Sequence, residues 1–477
     1  MKVHFIGIGG TGMSSLAGLF LEAGHEVRGS DGPLYPPMSE QVAALRVTVY
    51  EGFDPRNLDW GPDLVVVGNI ASSTHVEARA ALERGLPYCS MPQALAEHFL
   101  EGRMPIVVAG THGKTTTAAI AAWLLEDAGL DPGFLVGGMI ENFGRSYKLG
   151  RGRPFVVEGD EYETAFFDKG SKFLHYRPQV AILTSVEYDH AEMFPDLASV
   201  EAAFERFVGI VPETGILCYC ADDPGAVSAA RRARCRRLGY GTGSACEWRA
   251  DVRRAGAEGV DFDLFSGAAL WGRFHSPMHG LHNVRNTLAA LAAAREAGAA
   301  PAALARALER FRGARRRQEV RGVAQGVTVI DDFAHHPTAV RETIAAVRMR
   351  YPRACLWAIF EPRTNTTRRA VFQEEYARAF DGADRVIVAA VHQPERAPEG
   401  QRFSPERLVQ ELRTRGVQAR YVPEVETIVR LVSEEAGTGS VALVMSNGSF
   451  GGIHDRLLAA LRDRPALQRR DAHSGGK

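Results

Sequence analysis

The 477-residue sequence predicts an α/β protein of three domains. Short apolar runs typical of strands alternate with helical segments, a pattern that indicates parallel sheets covered by helices. This alternation starts again twice along the chain, which is too long for a single compact core. A glycine-rich turn follows the first strand in the first and in the second of these stretches. We place the domains at residues 1–100, 101–314 and 315–477.

The composition excludes several classes of protein. Lys and Arg number 56 against 57 Asp and Glu, so no overall charge favours nucleic acid or a membrane surface, and we expect neither as a partner. No apolar stretch reaches the roughly 20 residues that span a bilayer, and the chain does not open on a signal-peptide pattern. Because the six cysteines are scattered, we predict free, buried thiols. We expect a cytoplasmic monomer or weak homodimer.

The first domain opens with the strand KVHFIGIGG and a helix over residues 13–23, followed by strands at HEVRGSD and PDLVVVGN. The turn after the first strand has the pattern Gly-x-Gly-x-x-Gly, and Asp31 follows about 20 residues later, which is typical of a Rossmann-like dinucleotide site. The same geometry can hold the diphosphate of a nucleotide sugar. The candidate binding residues are Gly7, Gly9, Gly10, Thr11, Gly12, Met13, Asp31 and Asn69.

The second domain carries a P-loop, GTHGKT, between the strand PIVVAG and the helix TTTAAIAAWLLEDAG. Backbone N–H groups at the helix start would hold phosphate, Lys114 would neutralise it, and Thr115 would reach a Mg²⁺ ion. The two glycines are closer together than in the common form of the motif. The candidate ATP-binding residues are Gly110, Thr111, His112, Gly113, Lys114, Thr115 and Thr116.

Acidic residues follow two further strands of this domain. They are Glu158, Asp160 and Glu161 in PFVVEGDEYE, and Glu187, Asp189 and His190 in VAILTSVEYDH. Since ligands of open α/β sheets gather at the carboxyl ends of the strands, we expect these side chains near the phosphate loop. One or two carboxylates together with phosphate are enough to bind Mg²⁺.

Three later motifs have both a structural and a functional interpretation. Asn283 and Asn286, in HGLHNVRNTLAA, begin a helix, where Asn283 is either a cap or a functional amide. The arginines of GARRRQE form either a solvated turn or a contact to a transferring phosphoryl group. In DDFAHHPT the adjacent His335 and His336 are poorly spaced for one metal, so turn and capping roles are favoured around Asp332.

Two segments are predicted to lack regular structure. The stretch ENFGRSYKLGRGRP is rich in Gly and Arg and interrupts the second α/β run, which favours a loop. The polar tail beyond about residue 463 is expected to be frayed.

These motifs occur together, in the same order, in the Mur ligase family, which the sequence resembles along nearly its whole length. EGDEYETAFFDKGSKFLHYRP, FEPRTNTTR and MSNGSFGGIHDRLL resemble the branch of that family that ligates murein tripeptides. The resemblance implies a central P-loop ATPase domain between two Rossmann-like domains. It also implies an ATP- and Mg²⁺-dependent ligase of peptidoglycan recycling, which joins UDP-N-acetylmuramate to L-alanyl-γ-D-glutamyl-meso-diaminopimelate through an acyl phosphate.

The resemblance further implies roles for individual residues. The catalytic residues by this comparison are Lys114, Glu158, His190, Asn283, Arg317 and Asp332. The implied metal ligands are Thr115, Glu158 and His190, and the additional ATP contacts are Asn283, Asn286, Arg317 and Asp332. The domain at residues 1–100 is expected to bind the UDP-sugar, and the domain at residues 315–477 to close on ATP and bind the peptide.

The acceptor peptide carries a γ-linked D-glutamate carboxylate and a zwitterionic diaminopimelate end, which call for Arg and for amide or hydroxyl groups. The candidates in the last domain are Arg363, Asn365, Arg368, Asn447 and Ser449. Two alternatives stay open. One is the UDP-N-acetylmuramate–L-alanine ligase of de novo synthesis, and the other is a P-loop switch that binds NAD at its first glycine turn.

Overall fold

The computed structural model describes residues 1–34 and 38–464. The chain forms two compact units, Met1–Arg315 and Arg316–Lys477. The first unit contains two large sheets and the second unit contains one, and the three-domain α/β fold class is confirmed. The domain bounds stay a prediction. The tail predicted to fray lies, beyond Arg464, outside the described residues.

The first sheet is five-stranded and wholly parallel. Its strands are β1 (Lys2–Ile6), β2 (Glu26–Asp31), β3 (Thr48–Glu51), β4 (Leu64–Val67) and β5 (Tyr88–Ser90), and its helices are α1 (Thr11–Glu22), α2 (Met38–Leu45), α3 (Val76–Glu83) and α4 (Met91–Leu95). The strand order is β3-β2-β1-β4-β5, which puts β1 in the centre. The glycine-rich turn therefore lies at the middle of the sheet, directly before α1.

The second sheet is ten-stranded and contains the phosphate loop. Its strands are β6 (Met104–Ala109), β7 (Gly133–Ile140), β8 (Arg145–Lys148), β9 (Pro154–Gly159), β12 (Val180–Leu183), β13 (Ile216–Cys220), β14 (Arg236–Gly241), β15 (Trp248–Gly256), β16 (Gly259–Ser266) and β17 (Ala269–Ser276), with a separate hairpin of β10 (Glu163–Ala165) and β11 (Asp168–Ser171). The helices are α5 (Lys114–Asp127), α6 (Leu197–Gly209), α7 (Pro224–Ala230), α8 (Leu281–Glu296) and α9 (Pro301–Glu309). The order is β17-β16-β15-β14-β13-β12-β6-β9-β7-β8.

The central strands of this sheet are parallel, and antiparallel strands extend it at both edges. The side chains of Ile106, Val107 and Val108 in β6 are fully buried, as expected for a parallel strand covered on both faces. The continuous apolar run of the sequence therefore marks the middle of the sheet.

The prediction of a loop over ENFGRSYKLGRGRP was wrong for Arg145–Lys148. These residues form β8, which pairs antiparallel with β7. This strand packs on α1 of the first sheet. The Oγ atoms of Ser15 and Ser146 lie 2.8 Å apart in the buried contact. A Cβ atom at Gly18 would lie 2.1 Å from Cζ of Tyr147, so the helix backbone lies directly against that ring. These tertiary contacts outweigh the weak strand propensity of the segment.

The second unit holds a six-stranded sheet with helices on both faces. Its strands are β18 (Glu319–Ala324), β19 (Val327–Asp332), β20 (Leu356–Phe360), β21 (Arg385–Val388), β22 (Gln418–Tyr421) and β23 (Val441–Met445), and its helices are α10 (Pro337–Arg350), α11 (Gln373–Ala379), α12 (Pro405–Thr414), α13 (Val425–Glu435) and α14 (Ile453–Asp463). The order is β18-β19-β23-β20-β21-β22, with only β18 antiparallel to its neighbour.

Alternate residues of β20 belong to different cores of this unit. Ala358 and Phe360 pack with helices α10 to α12, whereas Trp357 and Ile359 pack with α13 and α14. The sheet is thus buried on both faces, which leaves the carboxyl ends of its strands as the place for polar groups.

The structure also shows the state of the cysteines and the character of the helices. All six cysteines are free thiols, as predicted, and all but Cys355 are buried. Within the described residues, none of the helices combines the length and the apolar character that crossing a bilayer requires.

Candidate functional site

The strand order of the second sheet brings the predicted ATP-binding motifs together. β6 lies between β9 and β12, with Val108 paired to Glu158 on one side and Ala109 paired to Leu183 on the other. All three strands are parallel, so their carboxyl ends open at the same edge. The loop of residues 110–113, the acidic residues after β9 and the segment after β12 therefore lie side by side.

The phosphate loop turns directly into the N-terminus of α5. Gly113 precedes the helix with φ of +80°, a left-handed conformation that favours glycine. A Cβ atom there would also lie 2.5 Å from Oδ1 of Asn286. The first N–H groups of a helix have no partner within it and carry the positive end of its dipole. The loop is therefore shaped to bind an anion.

A chain of opposite charges runs through the centre of this edge. The Lys114 ammonium donates to a Glu161 carboxylate oxygen at 2.9 Å, and the other oxygen lies 3.3 Å from Nε2 of His190. Burial alone would lower the pKa of Lys114, but the charges of Glu161 and Asp160 outweigh it, so the net shift is upward. Lys114 is therefore held as a cation beside the loop.

Glu161 was noted in the sequence but was not assigned a role. Its pKa is lowered although burial opposes this, because Lys114 and His190 favour the carboxylate. Burial opposes protonation of His190 too, but hydrogen bonds with Glu161 and Glu192 raise its pKa to about 10. His190 adopts a left-handed φ of +54°, an uncommon conformation for a residue other than glycine.

Two hard oxygen groups at this edge fit a Mg²⁺ ion. The Thr115 hydroxyl donates to a Glu158 carboxylate oxygen at 3.1 Å, and the backbone N–H of Gly137 holds the other oxygen. A hydroxyl, a carboxylate and phosphate oxygens are the ligands that Mg²⁺ prefers. His190 fits a metal less readily, because its Nε2 and Nδ1 lie 3.3 Å from Glu161 and 3.5 Å from Glu192, and a metal ion would have to replace one of these contacts.

A second ion pair beside this site was missed in the sequence. Lys172 lies 3.2 Å from the Asp160 carboxylate and 4.1 Å from the centroid of the Tyr162 ring. Burial opposes the charge on Asp160, but Lys172 and Lys114 lower its pKa overall. Asp160 and Lys172 are 12 positions apart with the hairpin β10–β11 between them, so no local pattern connects the two.

The segment after β12 holds the phosphate loop in place. Thr111 donates its N–H to the Ser185 carbonyl at 3.0 Å, and His112 donates its N–H to the Ser185 hydroxyl at the same distance. Nε2 of His112 lies 3.2 Å from the Glu187 carboxylate. Glu187 therefore orients the loop histidine.

Asn283 and Asn286 lie in the first two turns of α8. The cap of this helix is Gly280, so Asn283 is not the N-cap. Instead Asn283 donates to the His279 carbonyl at 2.9 Å and accepts from Asn286 at 3.1 Å. The pair places the Asn286 amide against Gly113 of the phosphate loop.

The predicted UDP-sugar residues gather at the carboxyl ends of β1, β2 and β4. Both carboxylate oxygens of Asp31 accept backbone N–H groups, from Gly9 at 2.6 Å and from Gly32 at 2.8 Å. Asn69 is exposed just after β4. Asp31 thus fixes the glycine-rich turn. The other predicted residues lie in that turn and the first turn of α1, namely Gly7, Gly10, Thr11, Gly12 and Met13.

In the second unit, Asp332 ends β19 and organises the turn around it. Its carboxylate accepts the N–H groups of Gln318 at 2.8 Å and Ala334 at 2.7 Å. Burial raises its pKa, and Arg317 opposes the shift. The Arg317 guanidinium lies 4.9 Å from the centroid of the Phe333 ring. Arg317 and Asp332 are thus neighbours at one turn.

The two histidines after this turn have local contacts. His336 is the N-cap of α10, and its Nδ1 lies 3.3 Å from the N–H of Thr338. Nδ1 of His335 lies 3.0 Å from the carbonyl oxygen of Phe333. A turn and a helix cap therefore occur in this stretch, but the cap is His336 and not one of the predicted residues Asp332, Pro337 and Thr338.

The predicted acceptor residues follow β20 and β23, which are neighbouring parallel strands. Arg368 is only 6% exposed, and its guanidinium donates to Asn365 and to the His392 carbonyl, each at 2.6 Å. Arg363 is more accessible, and Ser449 is exposed. Arg368 therefore shapes the loop, while Arg363 is the better placed to meet a ligand.

Comparison with known proteins gives a consistent result along the chain. Residues 2–103 match the domain described as "Mur ligase family, catalytic domain", residues 108–294 the Mur ligase middle domain, and residues 315–448 the domain described as "Mur ligase, glutamate ligase domain". A crystal structure of a murein peptide ligase from Psychrobacter arcticus is 35% identical with a TM-score of 0.72, covering 98% of this chain and 100% of that one.

Two curated relatives have different acceptors in their names. The chain is 40% identical over 462 residues to the UDP-N-acetylmuramate–L-alanyl-γ-D-glutamyl-meso-2,6-diaminoheptandioate ligase of Escherichia coli, covering 97% of this chain and 98% of the relative. It is 36% identical over 482 residues to a UDP-N-acetylmuramate–L-alanine ligase of Roseiflexus, covering 97% and 100%. The chain therefore belongs to the Mur ligase family, whose members are ATP-dependent ligases that form amide bonds.

Proposed function

We propose that this ligase joins UDP-N-acetylmuramate to the murein tripeptide L-alanyl-γ-D-glutamyl-meso-diaminopimelate, in peptidoglycan recycling. The observation that carries the chemistry is the convergence of Lys114, Thr115 and Glu158 on the phosphate loop. The choice of substrates is supported by the full-length similarity to the Escherichia coli relative with those substrates in its name. We assign UDP-sugar binding to residues 1–100, ATP binding to residues 101–314 and acceptor binding to residues 315–477.

In the first step, a lactyl carboxylate oxygen attacks the γ-phosphorus of ATP. The bond from that phosphorus to the bridging oxygen breaks, ADP leaves, and an acyl phosphate forms. Phosphoryl transfer depends mainly on positioning and charge neutralisation. Lys114 and the N-terminus of α5 supply both, with Glu161 and His190 holding the ammonium in place. A Mg²⁺ ion held by Thr115 and Glu158 would add positive charge at the phosphates.

In the second step, the peptide amino group attacks the acyl carbon. The nitrogen loses a proton, the tetrahedral intermediate collapses, and inorganic phosphate leaves with the electrons of its bond to carbon and takes up that proton. We propose that Arg317 and Asp332 act on ATP and that Asn283 and Asn286 position the phosphate loop, because the amide pair lies against Gly113. His190 as a ligand of a second metal ion stays a prediction.

We also propose that the protein acts in the cytoplasm as a monomer or weak homodimer, without nucleic acid or a membrane as partner. The near balance of 56 basic and 57 acidic residues supports this proposal. Size measurement in solution, together with assays in which DNA or lipid vesicles are added, tests it.

The proposed reaction is tested by phosphate release with each substrate alone and with both together. Release is expected only when ATP, UDP-N-acetylmuramate and the tripeptide are all present, with the ligated product identified by mass spectrometry. The second candidate is ligation of L-alanine, which the Roseiflexus relative favours. A higher kcat/KM for L-alanine than for the tripeptide would establish that alternative while leaving the ligase mechanism intact.

The donor site needs its own test, because the glycine-rich turn is also typical of a dinucleotide site. UDP-N-acetylmuramate is expected to bind the protein saturably. NAD binding that UDP-N-acetylmuramate does not displace would contradict the assignment of the first domain.

A further inference from the structure

Besides Asp331 and Asp332 at the end of β19, the carboxyl edge of the third sheet holds Glu361, which is paired with an arginine. Glu361 follows β20 directly and is 7% exposed. Its Oε1 lies 3.6 Å from Nη1 of Arg363. Arg316 donates to the carbonyls of Ser446 and Gly448 in the adjacent loop at 2.6 and 2.7 Å. Glu361 therefore has one guanidinium beside it, and a second guanidinium, that of Arg316, holds the adjacent loop.

The position of the Glu361 carboxylate is fixed by the neighbouring strand. The Ser446 hydroxyl donates to its Oε2 at 2.5 Å, and the Glu361 N–H donates to the Met445 carbonyl at 3.1 Å. A residue held in this way loses little conformational entropy when it binds a ligand. The carboxylate is thus preorganised, and Oε1 is the oxygen on the Arg363 side.

A second hydrogen-bond acceptor, in the adjacent loop after β23, lacks a donor. Oδ1 of Asn447 is buried and has no hydrogen-bond partner among residues 1–34 and 38–464. Asn447 follows Ser446, the residue that holds Glu361. Buried oxygens without a donor are uncommon, and the loss of a partner costs about 1–3 kcal/mol. This oxygen calls for an N–H group from a ligand.

The charges of Arg363 and Glu361 both act on the nearby side chain of His392. Burial lowers the pKa of His392, the Arg363 charge lowers it further, and the Glu361 charge opposes the shift. A carboxylate and a guanidinium side by side match the two groups of an amino acid end, an ammonium and a carboxylate.

We infer that Glu361 is a specificity-determining residue that binds the ammonium at the far end of the diaminopimelate, with Asn447 Oδ1 as a second acceptor and Arg363 binding the carboxylate on the same carbon. The inference rests on the proposed function. The acceptor residues predicted from the sequence are arginine, amide and hydroxyl groups, and Glu361 is not among them. An ammonium has three N–H donors and needs such acceptors.

The test compares two peptides that differ in one group. One is L-alanyl-γ-D-glutamyl-meso-diaminopimelate, and the other ends in 2-aminopimelate, which keeps the far carboxylate and lacks the far amino group. Wild-type kcat/KM is expected to be roughly 10- to 100-fold higher for the first peptide, the range of a charged hydrogen bond. Equal use of the two peptides would overturn the inference.

The Glu361→Gln variant should abolish this preference. Its kcat/KM for the diaminopimelate peptide should fall by roughly the wild-type preference, while the value for the 2-aminopimelate peptide and the KM for ATP stay nearly unchanged. Ser446→Ala, which removes the hydroxyl that holds the carboxylate, should weaken the preference and serves if Glu361→Gln does not fold. The control is Glu374→Gln, whose side chain is 84% exposed and pairs only weakly with Arg407.

The outcomes distinguish the proposed function of the protein from the role of Glu361. A wild-type protein that ligates neither peptide contradicts the proposed function itself. Normal ligation with a preference that Glu361→Gln and Ser446→Ala leave unchanged contradicts the role of Glu361 alone. A collapsed preference with unchanged ATP kinetics supports both.

Discussion

The carboxyl edges of the second and third sheets use charge in different ways. Around the phosphate loop, Lys114, Glu161 and His190 alternate in sign, with the Glu161 carboxylate between the two cations. At the edge of the third sheet, Arg363 lies beside Glu361, and Arg316 pairs with Asp331 and holds the loop after β23. The first arrangement suits a step whose charges change during the reaction, and the second suits a ligand that carries both an ammonium and a carboxylate. The difference suggests that the chemistry and the choice of acceptor can be disrupted separately.

The largest effect is expected from Lys114→Ala. This change removes the cation beside the phosphate loop, so kcat/KM should fall by about 10²- to 10³-fold for any acceptor. It also leaves the buried Glu161 with His190 as its remaining charged partner, and the melting temperature should fall. Steady-state kinetics and thermal unfolding measure the two effects. Lys169→Ala, at an exposed ion pair, is the control, and a variant that keeps more than a tenth of wild-type activity would contradict the role of Lys114.

Glu158→Gln should affect the metal requirement more than the fold. The amide can still accept the Gly137 N–H but is a poorer Mg²⁺ ligand than a carboxylate. We expect kcat/KM to fall by about 10²-fold and the Mg²⁺ concentration for half-maximal rate to rise. A Mg²⁺ titration checks this against Glu163→Gln, at an exposed side chain after the same strand. An unchanged Mg²⁺ dependence would remove Glu158 from the metal site.

Arg363→Ala should affect the acceptor and leave ATP alone. Loss of its guanidinium should raise the KM for the diaminopimelate peptide by roughly 10-fold or more, with the KM for ATP nearly unchanged. A peptide ending in L-lysine lacks the far carboxylate and should not distinguish the variant from wild type. Arg407→Ala, on the exposed side of α12, is the matched control. Equal losses with both peptides would mean that Arg363 acts only through the fold.

The smallest effect concerns a carboxylate that stabilises the third sheet. Asp331 lies 3.3 Å from Nε2 of His454 and within 3.7 Å of Arg316 and Arg321. Burial opposes its charge, but these groups lower its pKa overall. A depressed carboxyl pKa adds stability above the unfolded value of about 4, and this stability is lost as the pH falls through the folded value.

Asp331→Asn should therefore destabilise the protein at pH 7 by about 1–3 kcal/mol and by less at pH 3. Urea unfolding at the two pH values measures the difference, with the exposed Asp381→Asn as control. A loss of stability that is the same at both pH values would exclude the charge as its cause.

The sequence was most informative where strand, loop and helix follow one another directly. The phosphate loop and the helix start of α5 could be predicted because their geometry is local. The gathering of Glu158 and of the segment after β12 followed from the general rule on strand ends. The sequence could not give the strand order, on which these contacts depend.

The features that the sequence did not predict depend on contacts between residues that are far apart in the chain. β8 was predicted as a loop because its strand character comes from its pairing with β7 and its packing on α1. The ion pair of Lys172 and Asp160 joins residues that lie on either side of the hairpin β10–β11 in the chain. Glu361 was not predicted, because its position depends on the hydroxyl of Ser446, which is 85 residues away in the chain. The site residues assigned from the sequence stay predictions that the experiments above test.

The contact of Gly18 with the Tyr147 ring has a consequence for how this protein can vary in evolution. A methyl group at position 18 would meet the ring carbon at 2.1 Å, so Gly18→Ala alone should force the Tyr147 ring or the helix against it to move. Replacing Tyr147 by a smaller side chain would open the space that the methyl group needs. The two positions, 129 residues apart in the chain, are therefore expected to change as a pair among homologues, and Gly18→Ala with Tyr147→Ala should be less damaging than the sum of the single changes.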